Sequence, residues 1–208
     1  MKEHLTLAIV GLFLLLSNSA WAQEIEEEQR EGLFTAKKFE SDAFVEMTGQ
    51  FTTFTGSFAA ITRFGLTWVI NHRWTLNGTY DILTTNNDVS QLLTTEPIPP
   101  TDEKVFANYQ SAGLKFGYIF WDQSWFSLHP EWKFAWGQVK YEYPEGIIRH
   151  QNFYVGEPMV NAVFNVSDFF RVGASVGWRY ALSVDLNGIE TKDINGFGGG
   201  VFIRVGQF

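Results

Sequence analysis

The sequence predicts an all-β chain that closes on itself: an antiparallel, up-and-down transmembrane β-barrel of eight strands. Three observations carry this expectation. Apolar and polar residues alternate with period two through eight segments separated by turns or loops. Aromatic residues make up 17% of the chain, with 20 Phe and 8 Trp, and glycines number 19, yet no apolar run beyond residue 22 is long enough for a helical span. The stretch 196–208 alternates without a breaker and ends on Phe208, as expected of a last strand that pairs back to the first and leaves no edge.

The N-terminus reads as a targeting segment. Lys2 precedes an apolar core from Leu5 to Leu16, and Ala20-Trp21-Ala22 forms a small-x-small cleavage site, so residues 1–22 are expected to be a cleaved secretory signal peptide. The chain has no Cys, which excludes a lipid-modified cysteine anchor and disulfides. Its net charge of -8 argues against nucleic acid as a partner. Residues 23–42, with Glu24, Glu26, Glu27, Glu28 and Glu31, read as a charged, solvated periplasmic leader. Residues 43–208 then form the barrel.

The strands follow in order. Val45, Met47 and Phe51 alternate with Glu46, Thr48, Gln50 and Thr52 in the first. Phe58, Phe64, Leu66 and Trp68 oppose Ala59, Arg63 and Thr67 in the second. The third sets Trp74, Leu76, Tyr80 and Ile82 against Thr75, Asn77, Thr79 and Asp81. Ala112, Leu114, Phe116 and Tyr118 oppose Ser111, Lys115 and Gly117 in the fourth. The fifth carries Phe126, Leu128, Trp132, Phe134 and Trp136 outward, with Ser127, His129, Glu131, Lys133 and Ala135 inward; Pro130 suggests a bulge there. Strand six spans about 152–164 with Glu157, Met159 and Asn161 inward, and strand seven runs through Phe170, Val172, Val176, Trp178 and Tyr180. The eighth is the closing strand.

Short turns at 71–73, 121–124 and 165–168 alternate with longer polar loops at 84–103, 138–151 and 183–195, and 55–57 occupies the remaining loop slot. In bacterial barrels short turns face the periplasm and long loops the outside, so an even strand count brings both termini to the periplasmic side. A soluble lipocalin-like barrel would alternate equally well. Two features favour the membrane. The polar face mixes Gly, Ser and Thr with a few long charged residues, as a crowded lumen requires. Trp68, Trp74, Tyr118, Trp125, Trp136, Trp178 and Tyr180 fall near strand ends, where interfacial girdles lie.

With Ala20-Trp21-Ala22, eight alternating strands and a terminal Phe208, the mature chain resembles the small outer-membrane barrels of the OmpA membrane-domain and OmpX kind. The resemblance implies residence in the cell outer membrane, contact with outer-membrane lipid and lipopolysaccharide, and recognition of the C-terminal strand by the barrel-assembly machinery. One detail departs from the family pattern. Gly206, Arg204 and Phe202 stand at the alternate positions before Phe208, whereas Val205, Ile203 and Val201 carry the apolar face. A bulge near Gly206 or an inward Phe208 would reconcile the two.

The inward ionisable set is Glu46, Arg63, Asp81, Lys115, Glu131, Lys133, Glu157, Arg171, Arg179 and Arg204. Both signs are present, so a salt-bridged, filled lumen is the leading expectation and a narrow channel the alternative. Ser127, His129 and Glu131 form the one constellation suggestive of a lipid-modifying enzyme. Residues i and i+2 stand ~6.5–7 Å apart along a strand, so direct hydrogen bonds among them are not expected. No residue is assigned as catalytic, cofactor-binding or metal-ligating; His72 and His150 read as solvated. The function expected is structural or surface-interacting, exercised by a monomer through its extracellular loops.

Overall fold

A computed structural model of the chain describes residues 40–90, 105–120, 125–142, 148–182, 184–186 and 189–207. The expected signal peptide, nearly all of the leader, the turn at 121–124 and Phe208 fall outside these. Eight long strands form the barrel: β1 Ser41–Phe54, β2 Ser57–Ile70, β3 Trp74–Leu83, β4 Phe106–Tyr118, β5 Phe126–Glu142, β6 Ile148–Ser167, β7 Phe170–Leu182 and β8 Gly196–Gly206. Each pairs antiparallel with its sequence neighbours. β8 returns to β1 through a register running from Phe44↔Gly206 to Thr52↔Gly198, so the sheet closes. A two-residue strand, Asn87–Asp88, adds to the outer end of β4. Asp185–Leu186 pairs with Ile189–Glu190 in a small hairpin ahead of a single helical turn, α1, Thr191–Ile194.

Side-chain size and polarity are inverted relative to a soluble protein. The largest fully buried side chains include Arg179, Arg204, Lys115, Lys133, His129 and Glu157. Met47, Phe64, Leu114, Phe116, Phe134, Val176, Val201 and Ile203 face outward with 44–63% of their surface accessible. A continuous apolar wall of this extent is a lipid-facing surface, not the scattered exposure of a soluble domain. Trp68, Trp74 and Trp125 ring the end that carries the short turns, while Trp136, Tyr154, Trp178 and Tyr180 lie toward the other end. Aromatic rings with one polar edge prefer such interfacial levels.

The turns explain themselves locally. Thr55 and Gly56 join β1 to β2 with positive φ of 52° and 75°, the backbone twist a tight hairpin demands. Asn71 and His72 adopt the same left-handed region between β2 and β3, and Arg73 N–H returns to the Ile70 carbonyl at 3.2 Å. β6 and β7 show a register irregularity between Asn165 and Ser167, so strand pairing persists into the expected turn at 165–168. Pro130 faces outward and pairs regularly with Val160, so the expected bulge in β5 is absent and β5–β6 pairing is unbroken from Phe126↔Phe164 to Glu142↔Ile148. The missing amide donor is tolerated because antiparallel partners alternate between hydrogen-bonded and non-hydrogen-bonded positions.

Three expected boundaries move. β1 begins at Ser41, inside the expected leader. β4 begins at Phe106, five residues before Ser111. The expected loop at 138–151 is mostly strand, because β5 runs on to Glu142 and β6 starts at Ile148. At the closing strand the ladder reaches Gly206↔Phe44 without a register shift, and Gln207 N–H donates to the Ala43 carbonyl at 3.0 Å, so no bulge intervenes at Gly206.

Candidate functional site

The lumen is the first place to look for chemistry, because strand alternation delivers the inward side chains of all eight strands into one narrow space. Nine of the ten ionisable residues expected inside are buried, and Arg171 is half-buried. They sort into two levels, with apolar side chains above and below.

Nearest the short turns, Phe44, Val69 and Ile119 form a small buried cluster. Directly above it, Glu46 and Glu131 alternate with Lys115 and Arg204. Lys115 Nζ lies 2.8 Å from Glu46 Oε1 and 2.9 Å from Glu131 Oε2; Arg204 lies 2.7 Å from Glu46 Oε2 and 3.2 Å from Glu131 Oε1. The guanidinium also sits 5.0 Å and 4.5 Å from the ring centroids of Phe44 and Phe202. Each cation therefore serves both carboxylates, which is the condition under which burying four charges is tolerated.

The second level is centred on Arg63. Its Nε and Nη2 donate to the two oxygens of Asp81 at 2.8 and 3.1 Å, and Nη2 also reaches Glu157 Oε2 at 2.6 Å and Gln50 Oε1 at 3.1 Å. Gln50 Nε2 donates to the other oxygen of Glu157 at 2.6 Å. Lys133 Nζ bonds Asp81, approaches Glu157 at 3.6 Å and donates to Ser111 at 3.2 Å. Tyr109 O–H and Ser111 are 3.0 Å apart, and the Arg179 guanidinium lies 5.5 Å from the Tyr109 ring.

Beyond Tyr109 the lumen turns apolar. Phe54, Ile61, Val89, Val139, Phe153 and Ile194, all at most 2% exposed, belong to one buried cluster that closes the outer end. This cap was not legible from a single reading of the alternation. Within the bilayer, apolar residues point outward and polar residues inward. On β4–β6 beyond Tyr109 the two exchange places: Asn108, Gln110, Gln138, Lys140 and Asn152 point outward, whereas Ala107, Tyr109, Val139 and Phe153 are buried. The signal was present in the apolar parity of Val139, Phe153 and Val155 but belonged to the opposite face.

Ser127 and His129 do meet, contrary to the spacing argument. Ser127 Oγ is 2.9 Å from His129 Nε2, although the residues are two apart on β5. Both side chains point into the same lumen and lean along the strand, which spans the backbone separation. Glu131 does not complete a triad. His129 Nδ1 instead faces Arg204 Nη1 at 2.9 Å. A guanidinium only donates, so Nδ1 carries the lone pair and Nε2 the hydrogen, which Ser127 accepts. That tautomer orients the imidazole as a donor to the hydroxyl, the reverse of what a general base requires. The constellation belongs to the lower polar level, and Glu131 is spent on Lys115 and Arg204.

Among the described residues, no group of three or more His, Asp or Glu is arranged to hold a metal ion. His72 is half-exposed in its turn, with Nε2 2.5 Å from Glu40 Oε2 and Nδ1 3.2 Å from Asp42 Oδ2. It links the β2–β3 turn to the start of β1. His150 is exposed.

No protein-family model and no curated protein matches the sequence. Solved structures do match. Neisserial surface protein A aligns over 83% of this chain and all of its own, with a TM-score of 0.60 and 12% identity. The N-terminal β-barrel domain of Pseudomonas aeruginosa OprF covers 80% and 99%, with a TM-score of 0.53 and 12% identity. Ail, the attachment invasion locus protein of Yersinia pestis, in complex with the heparin analogue sucrose octasulfate, covers 83% and 100%, with a TM-score of 0.51 and 12% identity. At such identity the likeness concerns the fold. The chain therefore has the fold of the small eight-stranded outer-membrane β-barrels, a closed antiparallel sheet with an apolar outward wall.

Proposed function

We propose that this chain is a non-conducting outer-membrane barrel that acts through its outer end, as a structural or surface-interacting protein, rather than by transport or catalysis. The observation that carries the reading is the closure of the lumen at three levels: apolar clusters at both ends and ion-paired side chains between them. An ion crossing this path would have to displace Arg63 or Arg204 from paired carboxylates and then pass the closely packed, mainly apolar side chains at an end of the barrel, each step costing several kcal/mol. The chain works as a monomer, because its own eight strands satisfy every barrel edge. It enters the membrane through the barrel-assembly machinery, presenting β8.

Planar-bilayer recording of the purified folded protein tests the sealed lumen. No stepwise conductance is expected, and discrete ohmic steps that vanish with protein omitted would overturn the proposal. The surface role is tested by exchanging residues 91–104 and 143–147 for short Gly/Ser connections, which keeps Val89 and Val105 of the outer apolar cluster. Envelope integrity and adhesion or ligand assays should change while heat-modifiable gel migration, the mark of a folded barrel, is retained.

A further inference from the structure

The rim that carries the short turns holds a cluster of titratable groups that the lumen does not use. β2 and β3 are joined by a turn in which Asn71 and His72 have φ of 51° and 54°, and Arg73 N–H returns to the Ile70 carbonyl at 3.2 Å. Two successive left-handed residues make a type I′ hairpin turn, whose second position favours glycine. Histidine adopts this conformation only at a cost. The contacts of the His72 ring show what that conformation achieves.

From the turn the imidazole reaches back to the start of β1. Nε2 lies 2.5 Å from Glu40 Oε2, and Nδ1 lies 3.2 Å from Asp42 Oδ2. Residues two apart in an extended segment share a face, so one ring spans both carboxylates. The backbone reinforces the link: Asn71 N–H donates to the Glu40 carbonyl at 2.9 Å, and Ser41 pairs with Ile70. The two carboxylates differ in their surroundings. Glu40 is half-exposed, whereas Asp42 Oδ2 is shut off from solvent and accepts no aligned hydrogen bond. Among the described residues the His72 ring is the one cationic group within ion-pair distance of it. Arg73, beside the ring in the same turn, is engaged elsewhere: its Nη1 donates to the Tyr118 hydroxyl at the end of β4 at 3.2 Å. The charged groups facing His72 are therefore Glu40 and Asp42 from β1 and Arg73 from its own turn.

A ring with a carboxylate at each nitrogen is satisfied in one form only. The imidazolium donates from both nitrogens; the neutral ring has one N–H and one lone pair. With the proton kept at the shorter Nε2 contact, its loss from Nδ1 sets a lone pair against a buried carboxylate oxygen. Asp42 also lies next to the closing seam. The carbonyl of Ala43 accepts from Gln207 N–H at 3.0 Å, where β8 ends against β1.

We propose that Glu40, Asp42 and His72 form a proton-operated clasp. Closed, the imidazolium ties the first residues of β1 to the β2–β3 turn and fixes the point at which the preceding chain leaves the barrel. When Nδ1 loses its proton, Asp42 parts from the ring and β1 is released as far as Ala43. Histidine exchanges these two forms between about pH 5 and 8, so the clasp is closed at the acid end of that interval and opens as pH rises. The clasp is independent of the sealed lumen, and it operates whichever side of the membrane the rim faces.

The test is a nitroxide within the clasp. The chain has no Cys, so Ser41→Cys, at an exposed position between the two carboxylates, provides a single labelling site. Electron paramagnetic resonance of the folded barrel in phosphatidylcholine vesicles is recorded from pH 5 to 8. The ratio of mobile to immobile label is expected to rise roughly fivefold, as the loss of a partly exposed ion pair implies. Its midpoint should coincide with the loss of the His72 Nδ1 proton in nitrogen NMR of the histidine rings. Asp42→Asn should flatten the response. His72→Gly relieves the turn, so the barrel folds, and its label should be mobile at every pH; heat-modifiable migration verifies folding of each variant. A label whose mobility is constant from pH 5 to 8 would overturn the proposal. So would a response that persists in His72→Gly, which would trace it to another group, or a His72 ring carrying a single proton at pH 5.

Discussion

Replacing Glu46 by Gln tests the logic of the lumen most directly. Glu46 is 4% exposed and accepts from Lys115 at 2.8 Å on one oxygen and from Arg204 Nε at 2.7 Å on the other. The amide keeps the shape but removes the charge, and it places an NH2 where one of two cations now donates. Hydrogen bonds involving a charged group contribute about 1.5–3 kcal/mol each. Both cations keep Glu131 as a second partner at 2.9 and 3.2 Å, which moderates the loss. The expected cost is therefore about 3–4 kcal/mol, at the lower end of what breaking a buried ion pair costs. Urea unfolding of the barrel in lipid vesicles, followed by tryptophan fluorescence, measures it as a fall in the midpoint at unchanged slope. Lys115→Met in the Glu46→Gln background should cost less than in the parent by about 1–2 kcal/mol, because the two residues share a network. A Glu46→Gln variant within about 1 kcal/mol of the parent, with strictly additive Lys115→Met, would refute the claim that these charges are mutually neutralised inside the barrel.

Other substitutions probe separate levels of the structure. Ser127→Ala should destabilise by about 1–3 kcal/mol, because it leaves His129 Nε2–H buried without its acceptor, while any activity toward outer-membrane lipids stays at background; lipid-hydrolysis assays read the second half. Gly113→Val should abolish folded, heat-modifiable protein, since a Cβ there would stand 2.1 Å from the Phe134 carbonyl oxygen and 2.5 Å from Ala135 Cα. Gly78→Val is the control: a Cβ at Gly78 meets nothing within 4 Å, and folding yield should be unchanged. Thr55→Asn should raise stability by up to about 1 kcal/mol in the same urea titration, because a β-branched residue is strained at φ 52° and Asn is not.

The period-two signal alone determined the eight strands, their up-and-down order and the lumen parity of all ten ionisable residues. That is because a barrel strand shows one face to hydrocarbon and the other to a polar interior, and each face imposes its own composition. The outer ends of β4, β5 and β6 escaped the reading for the same reason. Past the outward row of Tyr80, Ala112 and Trp136 the solvent outside becomes water, so Gln110, Gln138 and Asn152 turn outward while Val139 and Phe153 turn in. The pattern continues with its sign reversed and looks like a loop.

Tertiary structure decided what the inward residues do. Spacing along β5 placed Ser127 and His129 out of reach of each other, yet side-chain direction in a closed lumen brings them to 2.9 Å. Glu131, two residues beyond His129, is drawn to Lys115 and Arg204 instead. Arg204 and Glu46 are 158 positions apart in sequence and become partners because β8 closes on β1. The sequence determined which face each side chain occupies, a local property of the pleat. The partners and the two apolar closures depend on inter-strand register, which the closure of the sheet sets and no single strand encodes.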